Sequence, residues 1–352
     1  MKPKKILFIL PNLNGGGAER VAINYLNQLD TEKYSITLVV FEKTPNLLEL
    51  VPKAVRLIDV RTESTSRSFL AVLKILRAIK PDVVFTTHSR VATLLMVIKS
   101  FAPRFKHIAR MQSTPSLEKK HGAYGSVRRL LYAAGFKNAD IVVAQAENMK
   151  EDAIRVFGLD ESRIRVLPNP VDTKHIDQSL VGETSPFPPD QIAAVASGRL
   201  AYPKGFDVLI AALPLVLKRH PNFVLYILGK ANGESEKLKA LVDRLELENH
   251  VKFLGFQSNP YPYYKFCDLF ILSSRWEGFP NVLLENYYLN TPIVSTRCVP
   301  VVEDLIVHGV NGCLCAPASD DSLAEAISCC MKIHRKNIQN NSYRSGSLDP
   351  LL

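Results

Sequence analysis

The chain has 352 residues, 47% of them hydrophobic and 22% charged, and it carries a formal net charge of +10. This length leaves room for two domains of ordinary size, and the hydrophobic content is sufficient for sizeable cores. No apolar run reaches the roughly 18 to 20 residues that a transmembrane helix needs, which argues against a membrane-spanning protein.

Short apolar runs alternate with longer helical patterns along the whole chain. Such runs, without polar alternation, are typical of strands buried on both faces, and their alternation with helices predicts an α/β fold with parallel sheets. In the first half the predicted strands are Ile6–Leu10, Ile36–Phe41, Val55–Val60, Val83–Thr86, His107–Met111, Ile141–Ala144 and Ile164–Leu167. In the second half they are Ile192–Ala196, Phe223–Leu228, Val251–Leu254, Leu269–Leu272 and Ile293–Ser295.

A glycine loop, Asn14-Gly15-Gly16-Gly17-Ala18-Glu19-Arg20, follows the first strand and opens a helical pattern. Successive glycines such as Gly16 and Gly17 let backbone N–H groups approach a ligand closely, and a helix N-terminus favours negative charge. A tight strand-to-helix turn without a ligand is the alternative interpretation. The glycine loop also argues against a secretory signal peptide, because it stands where a cleavage site would be expected.

Residues 61–137 concentrate the positive charge, with 15 Lys and Arg against only three acidic residues. Such a surface, with apolar residues between the charges, attracts anionic lipid headgroups by about 1 kcal/mol for each charge near the membrane. A solvated basic face without a partner is the alternative. Nucleic acid is disfavoured because no stacking platform or recognition motif accompanies the charge. We therefore expect contact with an anionic membrane surface.

The composition changes between the two halves of the chain. Asn169-Pro170-Val171-Asp172 ends the first series of strands, and a polar, proline-containing stretch follows. This predicts an N-terminal domain over residues 1–172, a linker over 173–190 and a C-terminal domain over 191–331. Residues 332–352 are polar and broken by Asn, Gly and Pro, which predicts a disordered tail.

Two cations stand in the loop that follows the first strand of the second half. The loop reads Ser197-Gly198-Arg199-Leu200-Ala201-Tyr202-Pro203-Lys204-Gly205-Phe206-Asp207 and precedes a helix. Arg199 and Lys204, aimed at one point, can stabilise a diphosphate as it departs with developing charge. Two exposed surface cations without a ligand are the alternative.

A second loop follows the strand Leu269–Leu272 and reads Ser273-Ser274-Arg275-Trp276-Glu277-Gly278-Phe279-Pro280-Asn281-Val282-Leu283-Leu284-Glu285. Asn281 is expected to be the N-cap of a helix whose free N–H groups face the C-terminal edge of the sheet, where open α/β sheets bind ligands. With Glu277 in the loop and Glu285 in the early helix, the site suits a sugar nucleotide. Paired carboxylates can also serve a glycoside hydrolase, but the phosphate-binding cations would then have no function.

The six cysteines all lie in the second half, and no pair has both the spacing and the histidine neighbours of a zinc site. We expect reduced, structural thiols in a cytoplasmic protein, and no metal. These residues are Cys267, Cys298, Cys313, Cys315, Cys329 and Cys330.

Together these motifs resemble those of the retaining glycosyltransferases of family 4 (GT4), over residues 5–330. The resemblance implies the GT-B fold, in which two Rossmann-like parallel-sheet domains face a central cleft. The C-terminal domain would hold the nucleotide sugar, and the N-terminal domain would present the acceptor. In the family the glycine loop, here with Gly16 and Gly17, faces donor phosphate and acceptor.

The resemblance also implies a role for each residue of the two later motifs. Arg199 and Lys204 would bind the donor phosphates, Glu277 would lie near the transferred sugar and Glu285 would bind the ribose hydroxyls. Backbone contacts to sugar and phosphate would come from Gly278, Phe279, Pro280 and Asn281. The segment Val251–Phe256 resembles the one that cradles the nucleobase, although Phe256 fits a core position equally well.

The sequence departs from the family pattern at two places. Residues 297–305 contain bulky valines where many members have a glycine-rich turn, although Glu303 keeps the acid. Many members also have a histidine near the transferred sugar, after the strand that here is His107–Met111, and this chain has Gln112-Ser113-Thr114 there. His88, at another strand end, is either a substitute site residue or a structural histidine.

The resemblance therefore implies transfer of a sugar, with N-acetylhexosamine as one option, from a UDP-sugar to a lipid-linked or soluble glycan acceptor, without a cofactor or metal. A basic first domain suits a polyprenyl-diphosphate-linked acceptor in the assembly of bacterial capsule, lipopolysaccharide or a related surface polysaccharide. We expect a cytoplasmic protein, peripheral on the inner face of the cell membrane. The alternatives are an inactive, membrane-associated scaffold that still binds nucleotide and a UDP-sugar epimerase on the same fold.

Overall fold

The computed structural model describes residues 2–14, 16–62, 67–116, 126–338 and 346–352. The chain divides into two compact units, the first comprising Met1–Asp172 with Arg344–Leu352 and the second Thr173–Tyr343. Within the described ranges, no helix has both the length and the apolar character needed to cross a membrane.

The first unit is built on a seven-stranded parallel sheet in the order β3-β2-β1-β4-β5-β6-β7. Its strands are β1 (Lys4–Asn12), β2 (Tyr34–Glu42), β3 (Arg56–Asp59), β4 (Val83–Thr86), β5 (Lys106–Arg110), β6 (Ile141–Ala144) and β7 (Ile164–Val166). Strand β1 is buried on both faces: Phe8 packs in one core, and Leu7 and Ile9 pack in the other. An unbroken apolar run is what such a central position requires.

Helices cover both faces of this sheet. They are α1 (Gly17–Gln28), α2 (Phe69–Ile79), α3 (Ser89–Ile98), α4 (Ser126–Asn138) and α5 (Glu147–Phe157). One core contains Tyr25 and Leu26 of α1, and the other contains Leu76 of α2 and Leu95 of α3. The sheet is therefore the middle layer of a three-layer α/β unit.

The second unit has a six-stranded parallel sheet in the order β10-β9-β8-β11-β12-β13. Its strands are β8 (Ile192–Ser197), β9 (Phe223–Leu228), β10 (Val251–Gly255), β11 (Leu269–Leu272), β12 (Ile293–Thr296) and β13 (Gly312–Cys315). Its helices are α6 (Thr173–Gln178), α7 (Phe206–Leu217), α8 (Ser235–Arg244), α9 (Tyr261–Phe266), α10 (Asn281–Tyr288), α11 (Val301–Leu305) and α12 (Asp320–Cys330).

Every strand predicted from the sequence is present, and β13 is an additional strand that the sequence did not predict. Its four residues, Gly-Cys-Leu-Cys, lack the β-branched and aromatic side chains that mark a strand. Gly312 is required by the close approach of β12, because a Cβ atom there would lie 2.2 Å from the carbonyl oxygen of Ile293.

The predicted linker and tail differ from what the structure contains. Helix α6 occupies the start of the predicted linker 173–190, and its Ile176 is buried. Residues 339–345 of the predicted disordered tail lie outside the described residues. Before them Ile338 is 4% exposed, and after them Leu348 is 1% exposed in the core of the first unit. Single buried apolar residues thus hold segments whose overall composition is polar.

Both sheets have a topological switch point, where the chain moves from one side of its first strand to the other. In the first unit it lies between β1 and β4, and in the second it lies between β8 and β11. Loops that follow these strands lie side by side at the C-terminal edge of the sheet, the usual ligand-binding position of open α/β sheets. The predicted site residues stand in or directly after these loops.

Candidate functional site

In the second unit, the loops after β8 and β11 are bonded to each other. Ser273 Oγ donates to the carbonyl of Lys204 at 2.9 Å, and the Arg275 N–H donates to the carbonyl of Pro203 at 2.8 Å. Gly205, with φ +62°, lies between them, and a Cβ atom there would be 2.2 Å from the Ser273 carbonyl oxygen. Only glycine fits this close approach of two loops without displacing backbone.

Lys204 and Glu277 form an ion pair within these loops. The Lys204 Nζ donates to Glu277 Oε1 at 2.6 Å, and the two side chains are 21% and 14% exposed. Ser274 Oγ donates to the same Oε1 at 2.7 Å. Among the described residues, Oε2 of Glu277 has no hydrogen-bond donor. The carboxylate therefore fixes the ammonium group with one oxygen and presents the other.

Arg275 clamps the outer part of the two loops. It makes two hydrogen bonds to Asp207, at 2.8 and 2.7 Å, and its guanidinium lies 4.0 Å from the ring centroid of Tyr202. Partial burial raises the pKa of Asp207. The hydrogen bond and charge of Arg275, together with backbone N–H groups, lower it by more than burial raises it, so the pKa lies below its usual range. The clamp is therefore charged at neutral pH.

Arg199 lies in the same loop as Lys204 but is exposed. Among the described residues, its guanidinium has no hydrogen-bond or ion-pair partner. Its neighbour Gly198 packs against Lys204, because a Cβ atom on Gly198 would lie 3.0 Å from Lys204 Cε. The loop thus holds one fixed cation and one that is free to turn toward a ligand.

Helix α10 begins at Asn281, so Pro280 is its N-cap residue, and Pro280 makes no side-chain capping bond. The prediction of Asn281 as N-cap was wrong by one position. Pro280 and Phe279 are buried, which leaves the backbone of this turn, including Gly278, as the group presented at the sheet edge. Glu285 lies one turn into the helix and is 6% exposed.

The end of β12 supports the loop after β11 from the other side. Thr296 Oγ1 donates to the Ser274 carbonyl at 2.5 Å. Burial, with the nearby Glu277 charge, raises the pKa of the Cys298 thiol to about 12, so this thiol stays protonated. Val299, Val301 and Val302 are buried, the last two within a short helix, α11, and Glu303 lies 3.5 Å from Arg297. They replace a flexible turn with a packed one.

Strand β9 lies next to β8 and β10 lies next to β9, and these parallel strands end at the same edge of the sheet. Lys230 follows β9, and its Nζ lies 4.9 Å from the ring centroid of Phe256, which follows β10. Phe256 is 44% exposed, so it is not the core residue that the sequence left open. An exposed ring with a cation over one face forms a flat apolar surface at the edge where the predicted residues stand.

The first unit places the glycine loop and His88 at its own switch point. Helix α1 begins at Gly17, with Gly16 as N-cap, and the Glu19 carboxylate folds back so that a Cβ on Gly16 would lie 2.4 Å from Glu19 Oε2. His88 Nε2 lies 3.3 Å from Glu19 Oε1, and its Nδ1 is 2.9 Å from Thr87 Oγ1. His88 is thus tied to the glycine loop.

The structure therefore brings Lys204 and Glu277 into direct contact, with Arg199 in the same loop and Gly278–Asn281 in the same turn. Sequence reasoning missed Asp207, Ser274 and Thr296 as supporting residues. No local signal marks Asp207, because its partner Arg275 is 68 positions away in the sequence. Gly16 and Gly17 belong to the other unit.

Two protein families match this chain in adjacent segments. The family described as Glycosyltransferase Family 4 matches residues 15–175, and the family described as Glycosyl transferases group 1 matches residues 182–345. Each match coincides closely with one of the two units.

Several curated proteins are similar in sequence. An uncharacterised glycosyltransferase of Methanocaldococcus jannaschii is 32% identical over 251 residues, which is 68% of this chain and 61% of that protein. N-acetylgalactosamine-N,N'-diacetylbacillosaminyl-diphospho-undecaprenol 4-alpha-N-acetylgalactosaminyltransferase of Campylobacter jejuni is 25% identical over 334 residues, covering 92% and 89%. The lipopolysaccharide core biosynthesis glycosyltransferase LpsE of Rhizobium meliloti is 29% identical over 289 residues, covering 80% and 76%.

Solved structures share the fold. HepE of Anabaena, in complex with UDP and glucose, superposes with a TM-score of 0.76 at 23% identity, over 94% of this chain and 90% of that one. WaaG, a glycosyltransferase involved in lipopolysaccharide biosynthesis, has a TM-score of 0.71 at 18% identity, over 93% and 90%. At these identities the similarity concerns the GT-B architecture of two parallel-sheet domains.

Proposed function

The chain belongs to the group 1 glycosyltransferases of the GT4 type, and from that premise we propose that it transfers an N-acetylhexosamine from a UDP-sugar to a polyprenyl-diphosphate-linked glycan, with retention of anomeric configuration. The observation that carries the proposal is the junction of the loops after β8 and β11 at the switch point of the second sheet, where Lys204 meets Glu277 at 2.6 Å. One loop supplies the cations and the other supplies the carboxylate and a helix N-terminus.

The donor diphosphate would lie between Lys204, Arg199 and the backbone of Gly278–Asn281. Lys204 is already held by Glu277, and Arg199 is exposed and able to close on a ligand. The N-terminus of α10, at Asn281, carries the positive end of the helix dipole, which favours an anion. These groups act where negative charge develops on the leaving nucleoside diphosphate, so the chemistry requires no metal ion.

The two carboxylates would hold the sugar and the nucleoside. Oε2 of Glu277 is available to hydroxyl groups of the transferred sugar, because Oε1 already accepts from Lys204 and Ser274. Glu285, one turn further into α10, would accept the ribose hydroxyls. The exposed Phe256 ring would support the base.

Retention of configuration follows if the acceptor hydroxyl attacks the face that the diphosphate leaves. The leaving phosphate oxygen would then accept the acceptor proton, while the glycosidic bond to UDP breaks and the bond to the acceptor forms. This route requires no protein general base. Glu277 fits this route because its Oε1 already accepts hydrogen bonds from Lys204 and Ser274, and the route does not use Glu277 as a base.

The proposed acceptor rests on charge and on similarity. The basic stretch 61–137 belongs to the first unit, which would present the acceptor. The Campylobacter jejuni relative, similar over 92% of this chain, is named for a diphospho-undecaprenol acceptor and an alpha-linked N-acetylgalactosamine. With the lipopolysaccharide relatives, this supports a role in bacterial surface polysaccharide assembly.

Helix α4 provides a surface suited to the membrane that holds such an acceptor. Its Val127 is 72%, Leu130 66% and Leu131 46% exposed, with Arg128 and Arg129 between them. Apolar side chains beside cations favour insertion at an anionic lipid interface. Other parts of the predicted surface, residues 63–66 and 117–125, lie outside the described residues. We propose a protein that is cytoplasmic and peripheral on the inner face of the cell membrane.

A donor panel tests the proposal. UDP-N-acetylglucosamine, UDP-N-acetylgalactosamine, UDP-glucose and GDP-mannose would each be incubated with the full chain and either a polyprenyl-diphosphate glycan or a soluble glycan, without added divalent ion. We expect transfer from a UDP-N-acetylhexosamine to the lipid-linked glycan, and an axial linkage by NMR of the product.

Three results would contradict the proposal. An inverted linkage would exclude retention, and an isomerised nucleotide sugar formed without acceptor would indicate an epimerase. Tight UDP binding with no turnover of any donor would indicate an inactive scaffold.

A further inference from the structure

A cluster of sulfur and nitrogen donors lies at the opposite edge of the second sheet from the proposed donor site. Cys313 is the second residue of β13, and Cys329 is at the C-terminal end of α12, which runs back toward the start of the strands. His308 stands in the turn before β13 and forms an isolated parallel β-bridge with Gly312. Three separate elements thus converge at one point.

The donor atoms of these residues are close enough to surround a single ion. One ring nitrogen of His308 and the Sγ atoms of Cys313 and Cys329 all lie within 4.8 Å of one another. The two sulfurs are 2.8 Å apart. The cluster therefore contains two thiols and an imidazole.

The position of the imidazole is supported by the backbone. The Leu314 N–H donates to His308 Nδ1 at 3.0 Å, which holds the ring beside Cys313. Metal coordination through Nδ1 would use the lone pair that accepts this hydrogen bond. Coordination through Nε2 would place the ring proton on Nδ1, so in both cases the metal bond would replace the hydrogen bond from Leu314. The Gly309 N–H donates to the Gly312 carbonyl at 2.8 Å, which closes the turn that precedes Cys313.

An ion could reach the cluster from solvent. His308 is exposed and Cys329 is half-buried. Cys329 also lines a shallow surface groove, together with Arg219, His220 and Lys332. This distinguishes the cluster from Cys267 and Cys298, which are buried single thiols.

We propose that Cys313, Cys329 and His308 bind one Zn²⁺ ion, and that this ion ties α12 to β13. Thiolate sulfur and imidazole nitrogen are the donors that Zn²⁺ prefers, at about 2.3 and 2.0–2.1 Å. Around one tetrahedral ion the sulfurs would separate to about 3.8 Å, a shift of about 1 Å for Cys313 and Cys329. This role is structural and independent of the proposed transfer reaction.

Zinc titration of the reduced, tag-free full chain tests the site, with Zn²⁺ alone as the probe and a metal indicator as competitor. We expect one Zn²⁺ per chain and a higher melting temperature with zinc. Co²⁺ should give the absorption bands of a tetrahedral thiolate complex, which do not depend on enzyme activity. Absence of saturable zinc binding by the reduced chain would overturn the proposal.

Three variants locate the ion. Cys329→Ser and His308→Ala should each weaken zinc binding at least tenfold, and His308→Ala should leave folding unchanged because His308 is exposed. Cys315→Ser is the matched control, since Cys315 lies two residues along the same strand and its Sγ instead donates to the Ser295 carbonyl at 3.5 Å. Equal zinc affinity in all three variants would overturn the assignment. It would also be overturned if the unmodified chain forms a Cys313–Cys329 disulfide and binds no zinc after reduction.

Discussion

At the scale of single residues, Lys204 is held in place by its neighbours in the second unit. Its ammonium group donates to Glu277, and the side chain packs over Gly198. A cation that is fixed in advance needs no reorganisation when charge develops on a leaving group. Arg199 differs because it is exposed, so part of its side-chain entropy would be lost on binding.

Replacing either Lys204 or Glu285 with alanine should impair the proposed donor site. Lys204→Ala removes a charge from the leaving diphosphate, and Glu285→Ala removes the proposed ribose contact, so each should lower kcat/KM at least roughly tenfold, about 1.4 kcal/mol. Steady-state transfer assays measure the effect. Lys218→Ala, at an exposed lysine just after α7, is the control, and unchanged donor hydrolysis and transfer in both site variants would contradict the assignment.

At the scale of elements, the loops after β8 and β11 form one bonded structure. Arg275, from one loop, bonds Asp207 at the start of α7 and covers the ring of Tyr202. A backbone hydrogen bond from the Arg275 N–H to the Pro203 carbonyl completes the junction. The geometry of the site therefore depends on the bonds that hold the loop after β8 at a fixed distance from the loop after β11. A substitution that weakens one loop should also make the other less ordered.

The Asp207 clamp gives a pH-dependent contribution to stability. The pKa of Asp207 is lower in the folded chain than in the unfolded chain. The ionised carboxylate therefore stabilises the fold fully at pH values above its ordinary pKa of about 4. This stabilisation is lost as the pH falls through the lower pKa of the folded chain. Asp207→Asn should cost about 0.5–1 kcal/mol at pH 7, since the pair is partly exposed. Urea unfolding from pH 7 to pH 3 should show this difference shrinking.

The control for this series is Asp243→Asn, at an exposed aspartate on α8. It should leave the free energy of unfolding nearly unchanged at every pH. A deficit in Asp207→Asn that is as large at pH 3 as at pH 7 would mean that the clamp acts through packing rather than charge.

At the scale of the whole molecule, the chain returns to its first unit after completing the second. Leu348 enters the core beside β1, and Lys106 Nζ donates to the carbonyl of Leu351 at 2.7 Å. The first unit is therefore built from residues at both ends of the sequence. Its stability should depend on a segment that lies far from the rest of the unit along the chain.

Leu348→Ala should destabilise the first unit by about 2–5 kcal/mol, the usual cost of removing a buried leucine side chain. Thermal unfolding of the full chain should show an earlier transition for that unit. Leu70→Ala is the matched control in the same unit, because Leu70 is 66% exposed, and equal effects of the two changes would contradict burial of Leu348.

The proposed membrane surface gives a prediction for the intact protein. Reversing two adjacent charges on α4, Arg128→Glu with Arg129→Glu, should lower binding to anionic vesicles at low salt, and added salt should reduce the difference. Vesicle sedimentation measures this. Lys218→Glu with Arg219→Glu, an exposed adjacent pair on the second unit, is the control, and equal binding to neutral and anionic vesicles would contradict the surface.

The sequence by itself determined the strands, the division into two α/β series, the loops that carry Arg199, Lys204 and Glu277, and the helix that carries Glu285. These features depend on local apolar runs and on motifs within about a dozen residues, so periodicity and spacing are sufficient to find them. The exception is β13, whose glycine and cysteines carry no strand signal.

Only the tertiary structure decided which of these segments meet. The contact of Lys204 with Glu277, the clamp of Arg275 on Asp207 and the burial of Leu348 join residues from distant parts of the chain. Strand order sets such contacts, and a parallel sheet can be ordered in many ways that keep the same local pattern. The convergence of His308, Cys313 and Cys329 has the same origin, because a returning helix brings its last turn to the start of its strand.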